Sequence, residues 1–98
     1  MIVRIVKLTF RAEEIKTFKS IFEASKNAIR SMEGNHHLEC LQCVDDDRVF
    51  FTYSHWENEA TLENYRHSAL FKATWSKTKA LFAEKPEAWS SRLIDRLP

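Results

Sequence analysis

The chain has 98 residues and a mass of 11.6 kDa, enough for one domain with a modest core, and 15 Lys+Arg against 14 Asp+Glu leave a formal charge of +1. A hydrophobic fraction of 44% with one Gly and two Pro excludes a disordered, collagen-like or low-complexity chain. The balanced charge speaks against a dedicated nucleic-acid binder, and no apolar run approaches the roughly 20 residues of a membrane span.

Ile2 to Phe10 is short and rich in β-branched residues, which predicts a strand, and Arg4 and Lys7 break the apolar stretch that a signal peptide needs. A cytoplasmic protein is therefore expected, with Cys40 and Cys43 as reduced thiols. From Ala12 to Met32, Ile15, Phe18, Phe22, Ile29 and Met32 recur at helical spacing among charged residues, which predicts one amphipathic helix. Gly34 stands where a left-handed residue is needed to end it.

Leu38 to Val44 and Val49 to Trp56 are predicted strands, joined by the polar connection Asp45 to Arg48. Asn58 or Glu57 starts a short helix through Leu62 and Tyr65. Ser68 caps another that carries Leu70, Phe71, Trp75, Thr78, Leu81 and Phe82 and stops at Lys85-Pro86. A last strand is expected from about Ala88 to Asp95. The order β-α-β-β-α-β is ferredoxin-like, an α+β fold with an antiparallel sheet, in a single domain over residues 1–98.

Side chains alternate along a strand. The first strand thus shows Ile2, Arg4, Val6, Leu8 and Phe10 on one face and Val3, Ile5, Lys7 and Thr9 on the other. The third divides into Val49, Phe51, Tyr53 and His55 against Phe50, Thr52, Ser54 and Trp56. Both faces are largely apolar, whereas two helical segments cover only one. A second copy of the sheet is the simplest cover for the other face, so a homodimer with facing sheets is expected.

His36-His37-x-x-Cys40-x-x-Cys43 has the outline of a zinc ligand set, but residues three apart on a strand point to opposite faces, so no metal site is expected. The Asp triplet at 45 to 47 lacks the spacing of a calcium loop and reads as a solvated turn. A single Gly excludes a phosphate-cradling loop and a nucleophile elbow. More informative are Tyr53, His55, Trp56, Tyr65, Arg66, His67, Phe71 and Trp75, aromatic and titratable groups gathered where the third strand passes into the helices. Phe71 and Trp56 suit core packing first; Tyr65, His67 and Trp75 suit a small-molecule pocket equally well, and His67 is the natural general base. Arg4 either reaches solvent or neutralises an anionic ligand.

The run Phe51-Thr52-Tyr53-Ser54-His55-Trp56, followed by Leu62, Tyr65, Ser68 and Phe71, resembles the antibiotic biosynthesis monooxygenase family, and the likeness extends from Ile2 to about Leu93. The resemblance implies a dimeric α+β barrel and oxygenation of a small phenol- or quinol-type aromatic substrate with no cofactor. His67 or Tyr65 would take the substrate proton, Phe51, Tyr53 and Trp75 would stack on the ring beside Phe71 and Trp56, and Arg4 would balance the charge. The haem-degrading branch has Asn, Trp and His where this chain has Val6, Tyr65 and Trp75. Many quinol-oxygenase-like members have a His three residues before the Ser, where Tyr65 stands here, and His67 is shifted by two. Two alternatives to an oxygenase stay open: a non-catalytic ligand-binding barrel, and a cofactor-free isomerase or decarboxylase.

Overall fold

A computed structural model describes residues 1–98. Four strands, β1 (Ile2–Thr9), β2 (Asn35–Gln42), β3 (Val49–Trp56) and β4 (Glu87–Arg92), form one antiparallel sheet in the order β2-β3-β1-β4. The helices are α1 (Ile15–Arg30), preceded by a single 3-10 turn at Ala12–Glu14, α2 (Glu59–Arg66) and α3 (Ala69–Lys79). The ferredoxin-like order read from the alternation of patterns is the one observed. None of the helices is long and apolar enough to cross a membrane.

The helices pack on the face that carries Val6 and Leu8 of β1, Phe10 just beyond it and Phe50 of β3. Phe10 is fully buried, its ring stacked on Phe18 of α1 at 4.3 Å between centroids and on Phe82 at 5.3 Å, with Phe50 edge-on to Phe18 at 5.0 Å. Leu8 and Leu81 complete this cluster. Such offset and edge-on contacts add to the burial of aromatic surface.

Several boundaries differ from the sequence reading, each for a local reason. α1 closes at Arg30, and residues 31–34 form a turn in which the Asn35 N–H donates to the Met32 carbonyl. Gly34 does adopt the left-handed conformation, φ +84°, but within that turn. β2 consequently starts at Asn35, opposite Trp56, with a bulge before His37, and ends at Gln42, opposite Phe50. Beyond Gln42 the chain enters the connection, where the Arg48 guanidinium and backbone N–H hold the Asp46 carboxyl below its usual range. β4 stops at Arg92 rather than Asp95 because Arg92 already pairs with Ile2, the first residue of β1.

α2 and α3 begin as their caps demand. The Asn58 side chain accepts from the Thr61 N–H at 2.9 Å while the Thr61 hydroxyl answers the Asn58 N–H, a capping box. Ser68 accepts from the Phe71 N–H at 3.1 Å and donates to the Tyr65 carbonyl at 2.6 Å, so one hydroxyl joins the end of α2 to the start of α3. Gly34 passes against the first turn of α2: a Cβ on it would lie 2.4 Å from the Thr61 Cβ.

The opposite face of the sheet carries Val3 and Ile5, Phe51, Tyr53 and His55, Leu41 and Trp89. No helix covers it. Leu41 and Trp89 are 47% and 45% exposed. The C-terminal residues reach this face, where Arg96 Nη2 donates to His55 Nδ1 at 2.9 Å.

Candidate functional site

Between the sheet and the helices lies a cavity of about 340 Å³. Its floor is the helix-side face of the sheet: Arg4, Val6 and Leu8 of β1, with Thr52, Ser54 and Trp56 of β3 beside them. Its roof is the inner stripe of α1, Phe18, Phe22, Ser25 and Ile29, at steps of four, three and four. Its side wall comes from Leu62, Tyr65 and Arg66 of α2 and Phe71, Trp75 and Thr78 of α3. A mostly apolar hollow with a few polar groups on its wall has the character of a small-molecule site.

The aromatic wall is continuous. Trp56 stacks on Tyr65 at 4.9 Å, Tyr65 meets Phe71 edge-on at 5.2 Å, Phe71 stacks on Trp75 at 5.8 Å, and Trp75 touches Phe82 at 5.6 Å, which joins the wall to the core at Phe10. Trp56 is held from behind: its Nε1–H donates to Ser54 Oγ at 3.0 Å in the buried interior. The Ser68 bridge sets the angle at which Tyr65 meets Phe71.

The ionisable groups on the wall are Arg4, Tyr65 and Arg66. Burial pushes the Tyr65 phenol up to about 12, so at neutral pH it is protonated and able to donate a hydrogen bond. Burial, and then the neighbouring Arg66 cation, lower Arg4 from the usual arginine value, with the Glu63 carboxylate acting the other way. Arg4 Nη1 donates to Ser90 Oγ at 2.9 Å. Arg66 is paired with Glu63 at 3.3 Å.

Five of the expected site residues meet at this cavity: Arg4, Trp56, Tyr65, Phe71 and Trp75. The other three do not. Phe51 and Tyr53 project from the opposite face of β3, because the helices settle on the face of Phe50, Thr52, Ser54 and Trp56. Tyr53 there meets His55 at 5.1 Å and His37 at 6.0 Å. His67 caps α2 with its side chain 67% exposed and Nδ1 3.5 Å from the Glu63 carboxylate, outside the cavity wall. Ser25 was missed in the sequence, although a small polar residue inside the apolar stripe of α1 is the signal for a hollow opposite it.

His36 and His37 pair with Glu57 and Glu39, and Cys40 turns toward the core, with its thiol pushed up to about 11 by burial. No group of three or more His, Cys, Asp or Glu side chains assembles that could hold a metal ion.

The fold is shared with solved proteins. A protein from Nitrosomonas europaea assigned to the antibiotic biosynthesis monooxygenases superposes with a TM-score of 0.90 at 18% identity, over 97% of this chain and 100% of that one. A conserved protein from Methanosarcina mazei Go1 gives 0.88 at 17% identity, over 94% and 92%. Rv0793 from Mycobacterium tuberculosis gives 0.90 at 11% identity, over 99% and 98%. Identities this low establish the fold alone. No curated protein matches the sequence. The family model for antibiotic biosynthesis monooxygenase, however, matches residues 1–77, which takes in β1, α1, β2, β3, α2 and most of α3, and with them most of the cavity wall. The chain belongs to the antibiotic biosynthesis monooxygenase family.

Proposed function

We propose that the protein is a monooxygenase whose substrate is a small aromatic molecule of phenol or quinol type, bound in the cavity and oxidised without a cofactor. The observation that carries this reading is the unbroken aromatic wall from Trp56 to Trp75, which shares with the cation at Arg4 a hollow sized for a small ligand. A phenol and O₂ give a quinone and water: one oxygen atom enters the ring, the other leaves as water, and the four electrons and two hydrogens come from the substrate. The protein's part is to orient the ring against Phe71 and Trp75 and to hold the substrate's negative charge with the Tyr65 hydroxyl and Arg4. No wall group takes up a proton at neutral pH, so the substrate proton passes to water.

Oxygen uptake measured with a panel of phenols and quinols tests the proposal. Uptake above the buffer rate that falls in Trp75→Ala is expected, and no uptake from any member of the panel refutes it. The lack of a base on the wall favours a second reading, a barrel that binds its ligand without turning it over; that reading predicts binding with no product. Turnover under nitrogen would instead support an isomerase or decarboxylase.

The uncovered sheet face supports a homodimer. The chain exposes 6480 Å², about 680 Å² more than the roughly 5,800 Å² of a typical folded monomer of its mass. That excess is close to one partner's share of a standard interface, about 800 Å². Here Phe51 and Tyr53 find a role, as surface for the second subunit rather than for substrate. Sedimentation showing a folded single-subunit species at micromolar concentration would overturn the dimer.

A further inference from the structure

Along β1 the cavity floor changes character. Arg4, Val6 and Leu8 follow one another at two-residue steps, so the floor runs from a cation to buried hydrocarbon over about 13 Å. The far end, at Leu8, adjoins the apolar cluster of Phe10, Phe18, Phe50 and Leu81, and the Thr78 hydroxyl on the wall already donates to the Thr74 carbonyl at 2.9 Å. The near end has the opposite character. Arg4 is half-buried, yet its hydrogen-bond partner is the neutral Ser90 hydroxyl, and no carboxylate lies within ion-pairing distance of it. Burying a guanidinium without a counter-charge is costly unless something supplies one. Arg66 stands close enough for its charge to act on Arg4, but Glu63 already answers Arg66. One positive charge is therefore left over at this end. Tyr65 lines the same hollow and its hydroxyl makes no hydrogen bond within the chain, which leaves it free to donate.

Resting on the cavity reading above, we infer that the ligand is an aromatic monocarboxylate, its carboxylate on Arg4 and Tyr65 and its ring system between Val6 and the Phe71–Trp75 stack. Three anion types were open. A phosphate carries more charge than the single uncompensated cation and calls for a cradle of backbone N–H groups, which a cavity built from strand faces and helix sides does not present. A phenolate carries its charge only after its proton has passed to water, and a phenol with a pKa of about 10 is hardly ionised at neutral pH. A carboxylate arrives ionised at neutral pH, carries one charge, and is planar, matching the guanidinium fork with two parallel hydrogen bonds. For the oxidation proposed above, the substrate is then a hydroxylated aromatic acid: the carboxylate fixes the register and the phenolic ring lies along the aromatic wall.

Titration calorimetry at pH 7.5 with 2-naphthoate and its neutral isostere 2-naphthamide tests the assignment. In the wild-type protein the carboxylate should bind about tenfold or more tightly than the amide, the usual worth of a charged hydrogen-bonded pair. Arg4→Gln should abolish that preference while leaving 2-naphthamide within about twofold of wild type, which also reports that the cavity is intact; Arg4→Lys, with the charge but not the fork, should keep part of it. Equal affinity for the two probes in the wild type, an undiminished preference in Arg4→Gln, or no binding of the carboxylate at millimolar concentration would each overturn the inference. Oxygen uptake with 6-hydroxy-2-naphthoate and 2-naphthol separates it from the monooxygenase reading. Carboxylate preference without uptake sustains the ligand class and removes the oxygenase; equal uptake from both does the reverse.

Discussion

The pair Ser54 and Trp56 offers a quantitative check on how the cavity floor is held. Both residues are buried, and the Trp56 Nε1–H has Ser54 Oγ, at 3.0 Å, as its hydrogen-bond partner. Ser54→Ala removes the acceptor and leaves a buried indole N–H unmet, a loss of about 1–3 kcal/mol. Trp56→Phe removes the donor and opens a void under Tyr65, whose ring stacks on Trp56 at 4.9 Å, so it should cost more than Ser54→Ala. The double variant loses both partners together and leaves neither unpaired. Its destabilisation should therefore fall short of the sum of the singles by about 1–2 kcal/mol. For a chain of this size each kcal/mol moves the melting temperature by about 4–8 °C, so the four proteins separate clearly in thermal or urea unfolding. A Ser54→Ala protein that melts with the wild type, or singles that simply add, would refute the role given to this bond and would mean that water in the cavity serves the indole instead.

Other substitutions test the remaining assignments. Gly34→Ala should destabilise by about 2–4 kcal/mol, since the left-handed backbone and the close Thr61 side chain both oppose a Cβ; urea midpoints read this out. His55 is 5% exposed, and burial, then the neighbouring His37 and Arg96, lowers it from its usual 6.5. The unfolded chain then holds more protons than the folded one below about pH 6.5, so stability should be fully present above that pH and decline beneath it, with a shallower decline in His55→Asn melts. His67→Ala should leave stability within about 0.5 kcal/mol and leave oxygen uptake unchanged, because the imidazole stands in solvent. Cys40, with its thiol at about 11, should be alkylated at pH 7.5 far more slowly than a free thiol, roughly one molecule in three thousand being thiolate; peptide mapping after iodoacetamide checks it.

The element order, the caps at Asn58 and Ser68 and the left-handed Gly34 were all legible in the chain, because each depends on interactions within a few residues: alternation, a helical stripe, a side chain that meets its own backbone. The position of His67 was legible too, in hindsight. Two residues along a helix turn the direction by about 200°, so a Tyr65 that faces inward sends His67 outward. What no local pattern decides is which side of the sheet the helices cover. Phe50, Thr52, Ser54 and Trp56 are no more apolar than Val49, Phe51, Tyr53 and His55, so alternation defines two faces without ranking them. That choice is made by packing over long range, by Phe10 and Phe50 meeting Phe18 of α1, and it sends Phe51 and Tyr53 away from the cavity while bringing Arg4 into it. The unpaired charge at Arg4 belongs to the same class: the sequence shows an arginine in a strand, and only the folded chain shows that no carboxylate comes to meet it.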